Sequence, residues 1–476
     1  MSALRRNLRR YVFAETRIRS SFRHRPQSAV LPVLILATAC LVRPTVAGPA
    51  SAAAANGEGI RLSSAIAEKQ TSDIEFHLDV TGTMTTPGTD GSRQFPVTSS
   101  AVMKFLQQRF PAPPGGPFAL KAARIFRAAG TTTKVADTET SVTLEEPYSQ
   151  MQIFGSADGF VIVSPRYAVP RRQLDLLQMP CDPLSVIGML PGSEPSVGDK
   201  WNTDAWVMSA MTGVEVATEQ SAACELKSAD AATAVVAFSG QIKGAIRGSA
   251  AEISVTGEFS VDRNTGLIRQ LKATQTEKRT PGPVSPGMDV TAVIQWTQQP
   301  AEPDSDFPAT LPEELPPAGR QLLALQTPLR LQFMHSREWF LFHETPTVLM
   351  MRQLRGGNLI SQCNISSGVT VPAGEHTPDE EFRADVTESV AERKGRVTAE
   401  DTARDDDQWR IRHVQAVGDA DGREIIWDYY LCSAGSGEQF SLVFSHFRED
   451  DEAFADEADR LLSTLQLAAR RPNLPR

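Results

Sequence analysis

The sequence predicts an α+β protein of two folded units: an N-terminal curved antiparallel sheet with a few helices, then a C-terminal unit in which helices cover a sheet. Three observations predict it. Apolar residues alternate at period two through most of 60–298, helical spacing with helix-start chemistry occurs twice between 329 and 467, and a Pro-rich acidic segment separates the two. At 476 residues the chain is too long for one ordinary core.

Within 60–298, Ile74-Glu-Phe-His-Leu-Asp-Val80 alternates as a strand. Ala222 to Lys227 and Thr233 to Ser239 read as a hairpin around the turn Ala229-Asp-Ala-Ala232. Glu252 to Val261 and Leu267 to Thr274 read as another around Asp262-Arg-Asn-Thr-Gly266, alternating as expected of a sheet with one wet face. Met288 to Trp296 is a closing strand, and residues 171–190 are the expected helical interruption. Residues 299–320 hold most of their prolines and acids between Pro300 and Pro317, a composition that predicts an extended, semi-rigid spacer. A second loop, Pro111-Ala-Pro-Pro-Gly-Gly-Pro117, lies inside the first unit.

In 329–467, Leu329 to Phe333, Thr347 to Leu354 and Leu359 to Ser366 are expected strands. The last two are joined by Arg355-Gly-Gly-Asn358, whose glycines accept the positive φ of a tight turn. Thr377-Pro-Asp-Glu380 is a capping box, followed by Phe382, Val386 and Val390 on one helical face and an end at Lys394-Gly395. Three strands follow, from Gln408, Arg423 and Gln439. One helix then starts at Glu449-Asp-Asp-Glu452, with Phe454, Ala458, Leu461, Leu462 and Leu465 as its apolar face. Residues 468–476 are a basic tail.

The start of the chain predicts export. Eight arginines stand against one acid (Glu15) in the first 30 residues, an apolar run spans Ala29 to Val42, and small residues continue through Ala55. The run is short for a membrane span, so residues 1–47 read as a cleaved signal peptide and 48–59 as a small-residue spacer; an uncleaved anchor is the second reading. Ala37-Thr-Ala-Cys40 matches a lipoprotein-type cysteine imperfectly, because Ala stands first. Cleavage after Ala47 removes nine arginines and Glu15 and takes the formal charge from −9 to −9 − 8 = −17. The expected compartment is extracytoplasmic: periplasmic, cell-surface or secreted. So acidic a chain, with no basic stripe, predicts no nucleic-acid partner, and membrane contact is expected only through the N-terminal segment if it stays uncleaved.

Export makes disulfides chemically available to Cys181, Cys224, Cys363 and Cys432. Three pairings are possible. The spacer falls between the second and third cysteines and favours Cys181–Cys224 and Cys363–Cys432; buried free thiols are the competing expectation.

No G-x-S-x-G, P-loop, G-x-G-x-x-G, H-E-x-x-H or C-x-x-C occurs, so the sequence supplies no catalytic, cofactor or metal residues. Triads assembled from distant positions are not excluded by that. Five of seven histidines (His335, His343, His376, His413, His446) fall in the second unit, at separations matching neither a helix face nor a tight turn. Gly418-Asp-Ala-Asp-Gly422 is half a calcium loop, but Val417 stands where a further acid is needed, so a hairpin turn is expected. On a strand, Trp427 and Tyr429 share one face, and Tyr430 shares the other with Cys432. Asp405-Asp-Asp407 reads as a solvated loop, and Asn364-Ile-Ser366 as strand sequence that is a glycosylation acceptor only in a eukaryotic secretory pathway.

The element order of 329–467, with Trp339 near its start, Glu381-Phe382 opening the middle helix and Ala458-Asp-Arg-Leu-Leu-Ser-Thr-Leu465 at its end, resembles the PsbP-like α/β/α sandwich. Ser361-Gln-Cys-Asn-Ile-Ser366 and Trp427-Asp-Tyr-Tyr430 resemble stretches of an uncharacterised family of exported bacterial proteins with this two-domain layout. Asp262-Arg-Asn-Thr-Gly266 and the turn Val197-Gly-Asp-Lys-Trp201 resemble those of the curved-sheet lipoprotein carriers. These resemblances imply binding modules and supply no catalytic residues. The expectation is therefore an exported binding or envelope-associated protein, whose first unit holds an apolar ligand or a protein segment and whose partner is that ligand or an envelope protein. The alternatives are a hydrolase assembled from the C-terminal histidines and acids, and a structural envelope protein.

Overall fold

The structure, a computed structural model, describes residues 59–62, 70–88, 91–111, 116–157, 159–391 and 393–468. The segment expected to be a signal peptide, Cys40 and nearly all of the basic tail lie outside the described residues. Strands β1 (Thr71–Thr86), β2 (Arg93–Phe110), β3 (Lys121–Val135), β4 (Thr138–Thr143), β5 (Gln150–Ser156), β6 (Gly159–Val163) and β7 (Val169–Pro170) lead into helices α1 (Arg171–Leu176) and α2 (Pro183–Ile187). After β8 (Lys200–Asn202) and α3 (Ala205–Thr212) come five long strands, β9 (Val216–Ala229), β10 (Thr233–Ile246), β11 (Ser249–Asp262), β12 (Ile268–Arg279) and β13 (Gly287–Ala301). The second half holds β14 (Leu323–Gln326), β15 (Leu331–His335), β16 (Trp339–Glu344), β17 (Val348–Arg355), β18 (Asn358–Ser367), α4 (Asp379–Ala391) and β19 (Arg396–Asp405). It ends with β20 (Trp409–Ala420), β21 (Arg423–Ala434), β22 (Gln439–Phe447), α5 (Asp451–Phe454), α6 (Glu457–Ser463) and β23 (Gln466–Leu467). No described helix is long and apolar enough to cross a membrane.

Strands make up 55% of the described residues and helices 14%, which corrects the α+β expectation to a mostly β protein of three sheets. The first sheet is antiparallel in the order β6-β5-β3-β2-β1-β13-β12-β11-β10-β9-β8, with β4 added to β3. It is strongly curled. Helix α3 touches β6 and also β9 and β10: a side chain at Gly159 of β6 would meet Ala210, and one at Gly240 of β10 would meet Met208. In a flat sheet β6 and β9 would stand roughly 43 Å apart, nine strand spacings, whereas a helix is only about 10–12 Å across. The sheet therefore bends until its two ends flank one helix. Its concave face forms a single apolar core with residues of the α1–α3 region, including Ile74, Phe76, Phe105, Phe259, Trp296, Leu177, Leu184 and Met211.

The second sheet is antiparallel in the order β16-β17-β18-β22-β21-β20-β19. The expected PsbP-like α/β/α sandwich is not what surrounds it. One face carries a single helix, α4, whose Phe382, Val386 and Val390 pack on Trp427 and Tyr429. The other carries the short helices α5 and α6, through Phe454, Ala458, Leu461 and Leu462, together with Leu331 and Phe333 of β15. The continuous C-terminal helix expected from the apolar spacing is broken at Asp456, which adopts a left-handed conformation (φ 65°). The break places Glu457 inside the protein, where its Oε2 accepts hydrogen bonds from Trp339 Nε1 (2.8 Å) and Ser336 Oγ (2.9 Å). Just before α4, Thr377 Oγ1 pairs with the side-chain amide of Gln439 on β22 (2.9 Å). Residues 396–405, for which the sequence suggested no element, form strand β19, and the bend at Asp406 and Asp407 that follows it is the expected loop.

A third sheet, β23-β15-β14-β7, joins chain segments from both halves, with β14 parallel to β7. The Pro-rich segment that reads as a spacer lies against the convex side of the first sheet. Phe307 packs there with Leu106, Phe110 and Ala123, and Lys121 Nζ donates to the carbonyl of Pro312 (3.2 Å).

Candidate functional site

The cysteines do not form a site. Cys181, Cys224, Cys363 and Cys432 are all buried free thiols, which corrects both expected disulfides. For Cys363 and Cys432 the reason is strand order: β22 lies between β18 and β21. Two strand spacings put the Cα atoms at least about 9.6 Å apart, beyond the reach of roughly 7 Å that a bridge allows. Cys181 sits in the helical layer, its N–H donating to the Met211 carbonyl and its own carbonyl accepting from Trp296 Nε1, while Cys224 is on strand β9. Burial pushes the thiols of Cys181 and Cys224 up to about 12 and raises those of Cys363 and Cys432 as well, so none is a ready nucleophile.

The histidines are dispersed. His343 and His376 are exposed, and His335 is buried, lowered to about 4 by that burial, with Nδ1 against the Ser336 carbonyl at 2.8 Å. Among the described residues no three His, Cys, Asp or Glu side chains converge on a metal site. His446 Nε2 donates to Asp451 Oδ1 (3.0 Å), and Ser361 is its cross-strand neighbour, so a serine, a histidine and an aspartate stand together. They are not arranged for catalysis. Ser361 Oγ and His446 Nδ1 each lack a hydrogen-bond partner, so no proton path joins them, and His446 is sealed beneath the ring of Phe454.

His413 is held differently. Its Nε2 donates to Asp428 Oδ1 (2.9 Å), its Nδ1 faces Asp401 Oδ2 (3.3 Å), and its ring stacks on Tyr430. Burial disfavours the charged ring, but the hydrogen bond and charge of Asp428, then those of Asp401, outweigh it and raise the pKa above the ordinary value. The raised folded-state value fixes the sign. The stabilisation is fully present below the unfolded pKa of about 6.5 and is lost as pH rises through the folded value. Melting temperature, followed from pH 6 to 9, is expected to fall less steeply in His413→Gln than in the parent; parallel curves would show that His413 is not the group responsible.

The remaining sequence candidates are core or turn. Trp427 and Tyr429 lie in the core under α4, with Tyr430 and Cys432 on the opposite face. Asp421 and Gly422 form the two-residue turn between β20 and β21, with Asp419 Oδ1 accepting from the Gly422 N–H (3.2 Å).

The arrangement that stands out was not read from the sequence. Along the concave face of the first sheet, burial changes midway. On β1, Ile74 and Phe76 are fully buried, whereas Leu78, Val80 and Met84 on the same face are only half-buried; Val142 and Ile246 are half-buried beside them. The helical layer thus seals one half of the trough and leaves the other half partly open.

Polar side chains enter at the open end. The inward face of β12 reads Leu271, Ala273, Gln275, Glu277, Arg279: apolar for two positions, then polar for three. Glu277 lies between Ile253 of β11 and Val290 of β13, and its Oε1 pairs with Arg279 Nε at 3.1 Å, with both side chains about 85% buried. That pair is not aligned as a hydrogen bond. Glu277 Oε1, Arg279 Nε, Gln275 Oε1 and, on the same rung of β9, Gln220 Oε1 are all buried without a hydrogen-bond partner.

More charges gather where this end meets the second half of the chain. Arg247 Nη2 donates to Asp175 Oδ1 of α1 (2.6 Å), and its N–H donates to Glu215 Oε2 (3.0 Å). Arg171 donates to the Trp339 carbonyl (3.2 Å), and the Phe340 ring of β16 lies under the guanidinium groups of Arg171 (4.3 Å) and Arg247 (5.6 Å). Burial lowers Arg171 to about 10 and raises Glu215, the latter against the charges of Arg247, Arg171 and Arg279. The one sequence signal for this cluster was the switch from apolar to polar at the inward positions of β12. The rest depended on knowing which strands adjoin.

Fold and site together define a mostly β protein with a curled sheet, a helical plug and a charged mouth. The sequence matches no protein-family profile and no curated protein. Among solved structures, a protein from Bacteroides thetaiotaomicron aligns at 11% identity and a TM-score of 0.23 over 32% of this chain and 50% of its own, so the chain spans about half of that protein's length. DynF of the dynemicin biosynthesis pathway from Micromonospora chersina aligns at 8% identity and a TM-score of 0.12, over 51% of this chain and 92% of its own. The translocator domain of the autotransporter NalP from Neisseria meningitidis aligns at 7% identity and a TM-score of 0.13, over 81% of this chain and 90% of its own. At these TM-scores none of the three bears on fold or function.

Proposed function

We propose that this is an exported, non-catalytic extracytoplasmic binding protein whose first unit holds an apolar or amphiphilic ligand against the open half of its curled sheet. The observation that carries the reading is the uneven burial of the concave face: apolar Leu78, Val80, Val142 and Ile246 line up with the core yet stay half-buried. Concave, mostly apolar surfaces with a few convergent polar groups are where small ligands lodge. The helices that seal the other half contribute Met208 and Met211, with Met179 and Met189 in the adjoining loops, and flexible thioethers repack readily around guests of varied shape. The second sheet is proposed as an interaction module, and the basic, then apolar N-terminus supports the extracytoplasmic location.

Native mass spectrometry of the exported protein and titration with a fluorescent fatty acid test the reading. Saturable uptake that is displaced by unlabelled fatty acid is expected, and Val80→Glu on the open half should abolish it. No bound species and no saturable uptake would leave the structural role as the better account.

A further inference from the structure

We propose that the open half of the trough selects amphiphiles with an uncharged hydroxyl head, such as fatty alcohols and acylglycerols, through a hydroxyl cluster of Ser99, Thr131 and Thr133. This rests on the ligand-binding reading above and specifies its chemistry. The cluster stands on adjoining strands and faces the trough. Ser99 of β2 has Val80 of β1 as its cross-strand neighbour on one side and Thr133 of β3 on the other. In the next row, Thr131 lies between Ala101 of β2 and Val142 of β4. All three hydroxyl residues are half-buried, like Leu78, Val80 and Val142 beside them, so they belong to the part of the face that the helices leave open.

The direction of the hydrogen bonds specifies the head. Ser99 Oγ lies 2.7 Å from Thr133 Oγ1 and 3.3 Å from Thr131 Oγ1, and Thr131 Oγ1 donates to the Ser100 carbonyl at 3.2 Å. Each hydroxyl has one proton and two lone pairs. With the Thr131 proton on the carbonyl, its contact with Ser99 must use the Ser99 proton, and the contact of Ser99 with Thr133 then uses the Thr133 proton. All three protons are engaged in one chain, which offers a guest only lone pairs, chiefly those of Thr133. An alcohol can donate to them, whereas an ester or a carboxylate can only accept. Charge points the same way. The inward positions of β1 to β4 within residues 78–84, 95–101, 131–135 and 138–142 carry no charged side chain. Glu277 and Arg279 pair with each other at 3.1 Å on β12, two strands from β1. A carboxylate beside the cluster would give up hydration with no cation to replace it. A fatty acid is therefore held through its chain, and its head gains nothing here.

Displacement of the bound fluorescent fatty acid from the purified full chain tests the assignment. Four probes of matched chain are compared: dodecanol, 1-dodecanoylglycerol, methyl dodecanoate and ionised dodecanoate. The two hydroxyl-bearing probes are expected to bind about five- to tenfold tighter than the other two, the size of one neutral hydrogen bond. The ester, uncharged but unable to donate, separates the need for a proton from the avoidance of charge. Thr133→Val removes the principal acceptor at nearly constant shape and is expected to bring dodecanol to the level of the ester. Dodecanol no tighter than the ester in the parent protein, or a preference that survives in Thr133→Val, would overturn the head-group assignment and leave the binding reading standing. Dodecanoate as the tightest probe would do the same. No uptake of the fluorescent fatty acid and no binding of any probe would overturn both. The comparison of heads on the unaltered protein decides the matter even where the variant folds poorly.

Discussion

Replacing Arg124 with methionine is expected to lower the unfolding free energy by about 3–5 kcal/mol, the cost of leaving a buried charge without its partner. Arg124 on β3 is fully buried: its two Nη atoms donate to the Asp182 carboxylate at 2.8 and 2.6 Å, and its Nε donates to Gln107 Oε1 at 2.9 Å. The Phe105 ring lies 4.9 Å from the guanidinium. Asp182 in turn accepts the Leu184 N–H (2.9 Å) at the start of α2. One bidentate pair thus ties the helical layer to the sheet, and the variant would leave the carboxylate, 5% exposed, with only that one amide. Urea unfolding of Arg124→Met, Asp182→Asn and the double variant reads the effect. The double variant should lose less than the two singles added, by 1 kcal/mol or more, because partners in contact are not independent. Additive losses, or an unchanged midpoint in Arg124→Met, would show that the pair does not anchor the layer.

The second large effect is expected from Glu457→Leu, at about 2–4 kcal/mol. Its carboxylate is 4% exposed and accepts from Trp339, Ser336 and Arg460, so leucine orphans an indole N–H inside the core beneath the second sheet. Glu457→Gln keeps one accepting oxygen and should cost about half as much. Tryptophan fluorescence followed through denaturation measures both. A leucine variant as stable as the parent would mean that the break at Asp456 has some other cause.

The two anchors also show where the sequence could and could not be read. Local chemistry announced itself. Asp262-Arg-Asn-Thr-Gly266 and Arg355-Gly-Gly-Asn358 form the turns their residues favour, and Phe382, Val386 and Val390 give α4 its buried side. Helix α3 went unread because Ala205 to Thr212 is apolar on nearly all sides and so carries no helical periodicity. Strand β19 went unread because all of its side chains are exposed or half-buried, leaving no alternation to see. The continuous C-terminal helix failed at Glu457, whose role depends on Trp339, 118 residues earlier. The candidate site has the same character. Gln275, Glu277 and Arg279 are neighbours in sequence, but Gln220, Glu215, Arg171 and Phe340 join them only through strand order and the meeting of the two halves.

The small sheet β23-β15-β14-β7 has a consequence for how the molecule assembles. Leu323 pairs with Val169, and Leu331 pairs with Leu467, so four short strands drawn from almost 300 residues of chain must find one another. Pairings this distant contribute nothing until the loops between them have closed, and closure entropy is met before any bond forms. During synthesis the curled sheet can gather its own strands from β1 to β13. The sheet that seams the two halves cannot finish until Gln466 and Leu467 have emerged, which makes docking of the halves one of the last events in maturation.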